Sequence, residues 1–324
     1  MTTLPVFSDE EYSRAKTILA AKVASMMGRK LEEGDWSDVY CKAKGIPEQG
    51  WSNLNIDVNH EGLGVEFKML RVARLNGRTI RSVCGTTRMH PSATRSIRIE
   101  DLDVPPDEAM SDVLTQYASL LEDRTVQVRE QSSDDSADMR TGWVLWETNL
   151  REFLYFEERM LKPNPNDYYA IWNQTPARGA RKSSKSLWIY EKNTKAKKYS
   201  VTTSAGIKIQ PYFNVPAPDD PNLAFFRVQS EEYDEDTINL WVAAQTADQL
   251  SRRVGSLTKK AVSDAVAAAS QNKLKSKASE IRDQDMAVAV PVSRMAFNLL
   301  ISNWDAVNDE HLVQQLIQSL ELGS

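Results

Sequence analysis

The stretch from Asn53 to Arg71 constrains this chain most, because it reads as two short strands joined by a tight turn. Leu54, Ile56 and Val58 alternate with polar residues on the first arm, and Val65, Phe67 and Met69 do so on the second. A period of two is the mark of a half-buried strand. Gly62 and Gly64 lie between the arms and supply turn conformations that other residues resist. Pairing symmetric about the turn sets Asp57 opposite Glu66, and directly opposed residues share a face. Lys68, two residues on, joins them there.

Two carboxylates facing each other across a strand pair repel, so this face calls for a compensating cation. Lys68 is one. A hard divalent ion is another, and magnesium characteristically takes one or two carboxylates together with waters and substrate phosphate oxygens. A lysine beside such a pair can orient an attacking water or stabilise charge developing on the phosphate. Glu66-Phe67-Lys68 is the only Asp/Glu-x-Lys triplet in the 324 residues. The plain alternative is a solvated strand face with an ordinary cross-strand ion pair.

Asp57, the step to Glu66 and the x-Lys68 that follows resemble the catalytic signature of the PD-(D/E)xK phosphodiesterases, the superfamily that includes many type II restriction endonucleases. The resemblance is confined to this hairpin and departs at its first letter, where Ile56 stands in place of proline. It implies a mixed α/β fold, with a restriction-endonuclease-like central mixed sheet flanked by helices. It also implies a Mg2+-dependent endonuclease hydrolysing DNA phosphodiester bonds, most simply a sequence-specific type II enzyme. Asp57, Glu66 and Lys68 would be the catalytic residues and Asp57 and Glu66 the metal ligands. Glu61, in the turn, is a further candidate.

A net charge of −5 argues by itself against a nucleic-acid partner, but its distribution argues for one. Eight basic residues and no acid lie between Phe67 and Ile99, whereas twelve acids and two arginines occupy Glu100 to Asp138. A second basic block, Arg178 to Lys208, holds nine Lys/Arg against Glu191 alone. Such segregation suits one surface that meets polyphosphate; solvated faces that happen to cluster are the bland reading. Arg71, Arg88, Arg95 and Arg98 are the DNA-contact candidates of the first block, the last three as phosphate-positioning groups. Arg178, Arg181, Lys182, Lys185, Lys208 and Gln210 are those of the second, where base reading is expected.

Elsewhere, Ser8 to Glu11 reads as a capping box that opens a helix running toward Gly28. Residues 29–52 read as loop and turns anchored by Trp36 and Trp51, residues 78–85 as a third strand, and 86–96 as a donor-rich loop. A helix over 107–129, a strand over 141–147, a helix capped by Asn149 and a strand at 168–173 follow. Strands at 186–191 and 198–203 form a β-ribbon with a basic tip, an element that fits a DNA major groove. Residues 246–282 read as one or two helices with an apolar seam, and short helices follow at 294–304 and 310–320. The expected division is a nuclease core over 1–173, a β-rich recognition region over 174–245 and a helical part over 246–324, or one compact domain containing all three.

Two cysteines without CxxC spacing suggest neither a disulfide framework nor a cysteine zinc site. No apolar run reaches membrane length and no secretion signal opens the chain, so a cytoplasmic protein without a membrane partner is expected. The absence of GxxxxGK[ST] argues against a nucleotide cofactor. His60, His90 and His311 are too scattered for a histidine-metal nuclease. The expected partner is double-stranded DNA, met by a homodimer, because cutting both strands of a palindrome calls for two sites related by a two-fold; 246–282 is the candidate contact. The rivals are a repair or phage-defence nuclease with the same core and little sequence preference, and a non-catalytic DNA-binding protein.

Overall fold

The computed structural model describes residues 3–26, 29–47, 56–73, 75–91, 97–99, 101–179, 182–203, 208–270 and 286–322. The protein is mixed α/β, with three sheets among the described residues. The central sheet runs in the order β1 (Thr3–Leu4), β6 (Glu152–Arg159), β5 (Asp138–Glu147), β3 (Leu63–Val72), β2 (Val58–His60), and β11 (Ala224–Arg227) also pairs with β6. Val58 pairs with Val65 and His60 with Leu63, the register expected from the turn's symmetry. Glu61 and Gly62 at the tip have φ of 47° and 80°, the two left-handed positions of the tight turn that matches strand twist.

β3 pairs parallel to β5 through a crossover that contains α3 (Pro106–Glu130). Helices α1 (Asp9–Ser25) and α2 (Glu33–Lys44) cover one face of the central sheet, where Phe67, Val144, Phe153 and Tyr155 meet Leu19, Trp36 and Tyr40. The reverse face buries Trp143, Leu145, Leu154 and Phe156 against Phe213, Val215 and Ile80.

The second sheet has the order β4 (Thr87–Met89), β10 (Lys208–Asn214), β9 (Lys197–Thr202), β8 (Ser184–Glu191), β7 (Tyr168–Thr175). One of its faces packs Leu187, Ile189, Val201 and Ile209 onto Met110, Val113 and Leu114 of α3. The third sheet, β12 (Glu231–Glu232), β13 (Thr237–Ala243) and β14 (Ala287–Ser293), carries α4 (Ala244–Val254), α5 (Lys259–Ala269), α6 (Arg294–Asn303) and α7 (Asp309–Leu322). Residues 174–245 are thus shared among all three sheets.

Several local expectations change. The segment after Asn149 is not a helix but β6, flanked by β5 on one edge and by β1 and β11 on the other. Its residues are buried from Glu152 to Glu158, and a strand hidden on both faces shows a continuous apolar run that periodicity does not separate from a buried helix. Residues 80–83 form a 3-10 turn rather than a strand. Within the expected loop at 29–52 lies α2, ended by Gly45 at φ 70°; Trp36 is its buried anchor, and Trp51 lies outside the described residues. Within 246–282 the described residues give α4 and α5, parted by Gly255 at φ 80°, and 271–282 lie outside the described residues. Of the apolar seam, Leu250 is buried in the C-terminal core and Val254 and Leu257 pack against it, while Ala261 and Ala265 are half-buried and Ala268 is exposed.

Candidate active site

β2 and β3 bring Asp57, Glu66 and Lys68 together, on the sheet face turned away from α1 and α2. Because β3 buries Val65 and Phe67 on the helix side, alternation obliges Glu66 and Lys68 to the other. Asp57 continues the register just before β2, and its Oδ2 accepts the Phe67 backbone N–H at 2.6 Å. The Lys68 ammonium donates to Glu66 Oε1 at 2.5 Å. Arg124 of α3 meets Glu66 Oε2 at 2.9 Å.

The carboxylates are electrostatically unequal. Burial and the Glu66 charge push Asp57 up to about 7, against the Phe67 N–H and Lys68, which favour its ionised form. Glu66 is buried as well, but Lys68 and Arg124 overcome that cost and hold it below the usual carboxylate range. Burial would lower Lys68, yet Glu66 keeps its ammonium above the ordinary value. One acid is therefore clamped ionised between two cations, while for the other burial and repulsion outweigh the Phe67 N–H and Lys68. A different acidic pair, Glu147 and Glu152, shows the contrast. Burial and Glu152 also raise Glu147 to about 7, but Glu152 is tied to Arg227 at 2.7 Å and to the Ile80 N–H at 2.9 Å, anchors that join β6 to β11 and to the 3-10 turn at 80–83.

The donor set fits magnesium in kind. It offers two carboxylates, one of them raised by burial and by the charge of the other, with no thiolate and no imidazole among them. Asp57 Oδ1 accepts no hydrogen bond from the described residues, and each Glu66 oxygen keeps a further lone pair. No group of three or more His, Cys, Asp or Glu converges into a metal cage among the described residues. An ion held by Asp57 and Glu66 would complete its shell with water and phosphate oxygens, as magnesium does in phosphoryl sites.

Three neighbours were not legible as site residues in the sequence. Tyr117 and Arg124 lie seven residues apart, two turns along one face of α3, and Lys68 and Glu66 both act on the Tyr117 hydroxyl, which burial pushes up. Glu33, at the start of α2, is raised by burial and by Glu66 despite Lys68. The signal for α3 was the pair of basic residues inside an acidic segment; nothing local marked Glu33. His90 is buried and its Nε2 lies 2.8 Å from the Met69 carbonyl. Burial pulls its imidazole down to about 4, so at neutral pH it is an uncharged tie between β4 and β3.

The basic candidates are dispersed. Arg71 is exposed on β3, Arg88 donates through Nε to Thr86 Oγ1 at 3.1 Å, and Arg98 is exposed with its backbone clipped to the Gln116 amide. Arg178 and Lys182 are exposed ahead of β8. Lys185 lies 4.4 Å above the Trp172 ring and donates to the Leu102 carbonyl. Lys185 and Gln210 line one groove on the second sheet. Arg95 and Arg181 lie outside the described residues, as does the side chain of Lys208.

Comparison with protein-family models, curated proteins and solved structures gives no match to this chain. No helix among the described residues is long and apolar enough to cross a membrane.

Proposed function

We propose that this chain is a Mg2+-dependent endonuclease with a restriction-endonuclease-like core, hydrolysing DNA phosphodiester bonds. The observation that carries the reading is the convergence of Asp57, Glu66 and Lys68 on one sheet face, with Asp57 raised to about 7 by burial and by the Glu66 charge. Asp57 and Glu66 would hold the metal, which when bound supplies charge for the scissile phosphate. Lys68, already fixed by Glu66, positions an attacking water or meets the developing negative charge; Arg124 holds Glu66 in place. A sequence-specific type II enzyme working as a homodimer is the first form of this reading.

A nuclease with little sequence preference is the second, and one observation favours it. The strands expected to form a free reading ribbon are built into a five-stranded sheet. At ~4.8 Å per strand that sheet is roughly 19 Å across, whereas a major groove ~12 Å wide admits a helix or a two-stranded ribbon.

Incubating plasmid DNA with the protein, with and without Mg2+, tests the proposal. Cleavage that needs the metal is expected; discrete bands support the first form and a smear the second. Lys68→Ala should reduce cleavage by at least ~100-fold while DNA binding in EDTA changes little, because one lysine among many basic residues adds little affinity. An active Lys68→Ala protein would leave the three residues as a surface network of a DNA-binding protein.

A further inference from the structure

The second sheet has a face the proposed chemistry does not use. Alternation sends Leu187, Ile189, Val201 and Ile209 toward α3 and leaves the intervening residues of β7 to β10 on the opposite, open side. That side holds a groove of about 250 Å3 lined by Asn173, Trp188, Lys197, Thr202, Gln210 and Tyr212 among others, with lysines and no carboxylate in its wall. The Lys197 ammonium stands 3.3 Å over the Trp188 ring and 5.2 Å from that of Tyr212, and no described carboxylate pairs with it. On the same face Tyr169 and Tyr190 stack at 5.3 Å, with Lys195 over Tyr169.

We propose that this open face is a stacking platform for unpaired nucleotides, so that the substrate carries a single-stranded segment. The sheet is too broad to enter a duplex groove, as above, and base edges in a duplex are out of its reach. Half-buried aromatic rings can instead take the faces of splayed bases, a sequence-tolerant contact that single-strand binders use with lysine and arginine on the backbone. The unpaired Lys197 now occupies the ring face that a base would take. A stacked base can displace a cation held over a half-buried ring, and the displaced lysine can then meet a phosphate. Asn173, Thr202 and Gln210 supply hydrogen-bonding groups between the rings. At the sheet edge Met89, paired with Tyr212, extends the face, and the next residue, His90, meets Met69 of β3, which joins the platform's margin to the strand that bears Glu66 and Lys68.

This inference rests on the nuclease reading for its role, but its test is a binding measurement on Lys68→Ala protein in EDTA, so absent cleavage and an absent platform are told apart. A labelled oligothymidylate, an oligouridylate and a duplex of equal length are titrated at low salt by fluorescence anisotropy. One of the single strands should bind at least about tenfold tighter than the duplex. Trp188→Ala and Tyr212→Ala should each weaken that binding about tenfold, Trp188→Phe should retain most of it, and Lys197→Gln should lower the salt slope by about 0.7. Circular dichroism checks that the alanine variants fold, and Trp188→Phe and Lys197→Gln carry the test should either alanine variant fail. Duplex bound as tightly as both single strands, or aromatic variants that bind like the parent, would overturn the platform whatever the plasmid assay shows.

Discussion

Asp57 is the residue on which the chemistry and the stability of the hairpin pull in different directions. An acid raised to about 7 in the folded chain holds its proton more firmly there than in the unfolded chain, where it titrates near ~4. Between those values the native state carries the extra proton, so this group's contribution to stability is full below ~4 and is lost as pH rises through about 7. Asp57→Asn keeps an oxygen for the Phe67 N–H and removes the repulsion with Glu66. In EDTA at about pH 8 the variant should melt roughly 2–4 °C above the parent, with the gain fading toward pH ~4. Mg2+-dependent cleavage should fall with the lost charge. A carboxylate that served only as a structural hydrogen-bond acceptor would give the reverse, a lower melting temperature with activity kept. Asp57, Glu66 and Lys68 were legible because their spacing about one turn fixes their face. Arg124, Tyr117 and Glu33 were not, because they arrive from α3 and α2 through tertiary packing that leaves no local period in the sequence.

At the scale of elements, the central sheet depends on a close approach that hydrophobic patterning does not display. A β-carbon on Gly142 of β5 would lie 2.5 Å from the Tyr155 hydroxyl and 2.8 Å from Phe67 Cδ1. Phe67 lies between Glu66 and Lys68, and Tyr155 donates to the fully buried Glu157 at 2.7 Å, so neither ring has free space to move into. Gly142→Ala should cost about 1–3 kcal/mol in urea unfolding, the usual range for overpacking a filled core. It should also lower cleavage more than Leu161→Ala, a change at a side chain 69% exposed. Unaltered stability in Gly142→Ala would contradict the packing of β5 on β3. The strands misread from sequence fail for related reasons. β6 is apolar on both faces and lacks a period, and β8 with β9 looks like a solvated ribbon until β7 and β10 pair along its edges. The hairpin β2–β3 was legible because one face is buried and its turn carries its own signal.

For the whole molecule, the C-terminal sheet and helices are joined to the central sheet and its helices by buried polar contacts as well as by apolar packing. Asn308 donates to the Val23 and Ala24 carbonyls at the end of α1, at 3.2 Å each. Asp309, 2% exposed, accepts from Ser230 N at 2.5 Å, Ser230 Oγ at 2.7 Å and Trp241 N at 3.0 Å, and so links α7 to β13 and to the segment that leaves β11. Backbone N–H groups left buried without an acceptor cost ~1–3 kcal/mol each. Asp309→Ala orphans two of them, Ser230 and Trp241, and should destabilise the chain by about 2–5 kcal/mol. α1 packs on the central sheet and on the C-terminal strands alike, so the loss should appear as one earlier unfolding transition followed equally by tryptophan fluorescence and far-ultraviolet dichroism. Asp57, Glu66 and Lys68 are not among the partners of Asp309, and cleavage per folded molecule below the transition should match the parent. Two separated transitions in the variant, with the first leaving metal-dependent cleavage intact, would show instead that the C-terminal part unfolds independently and that α1 does not couple it to the core.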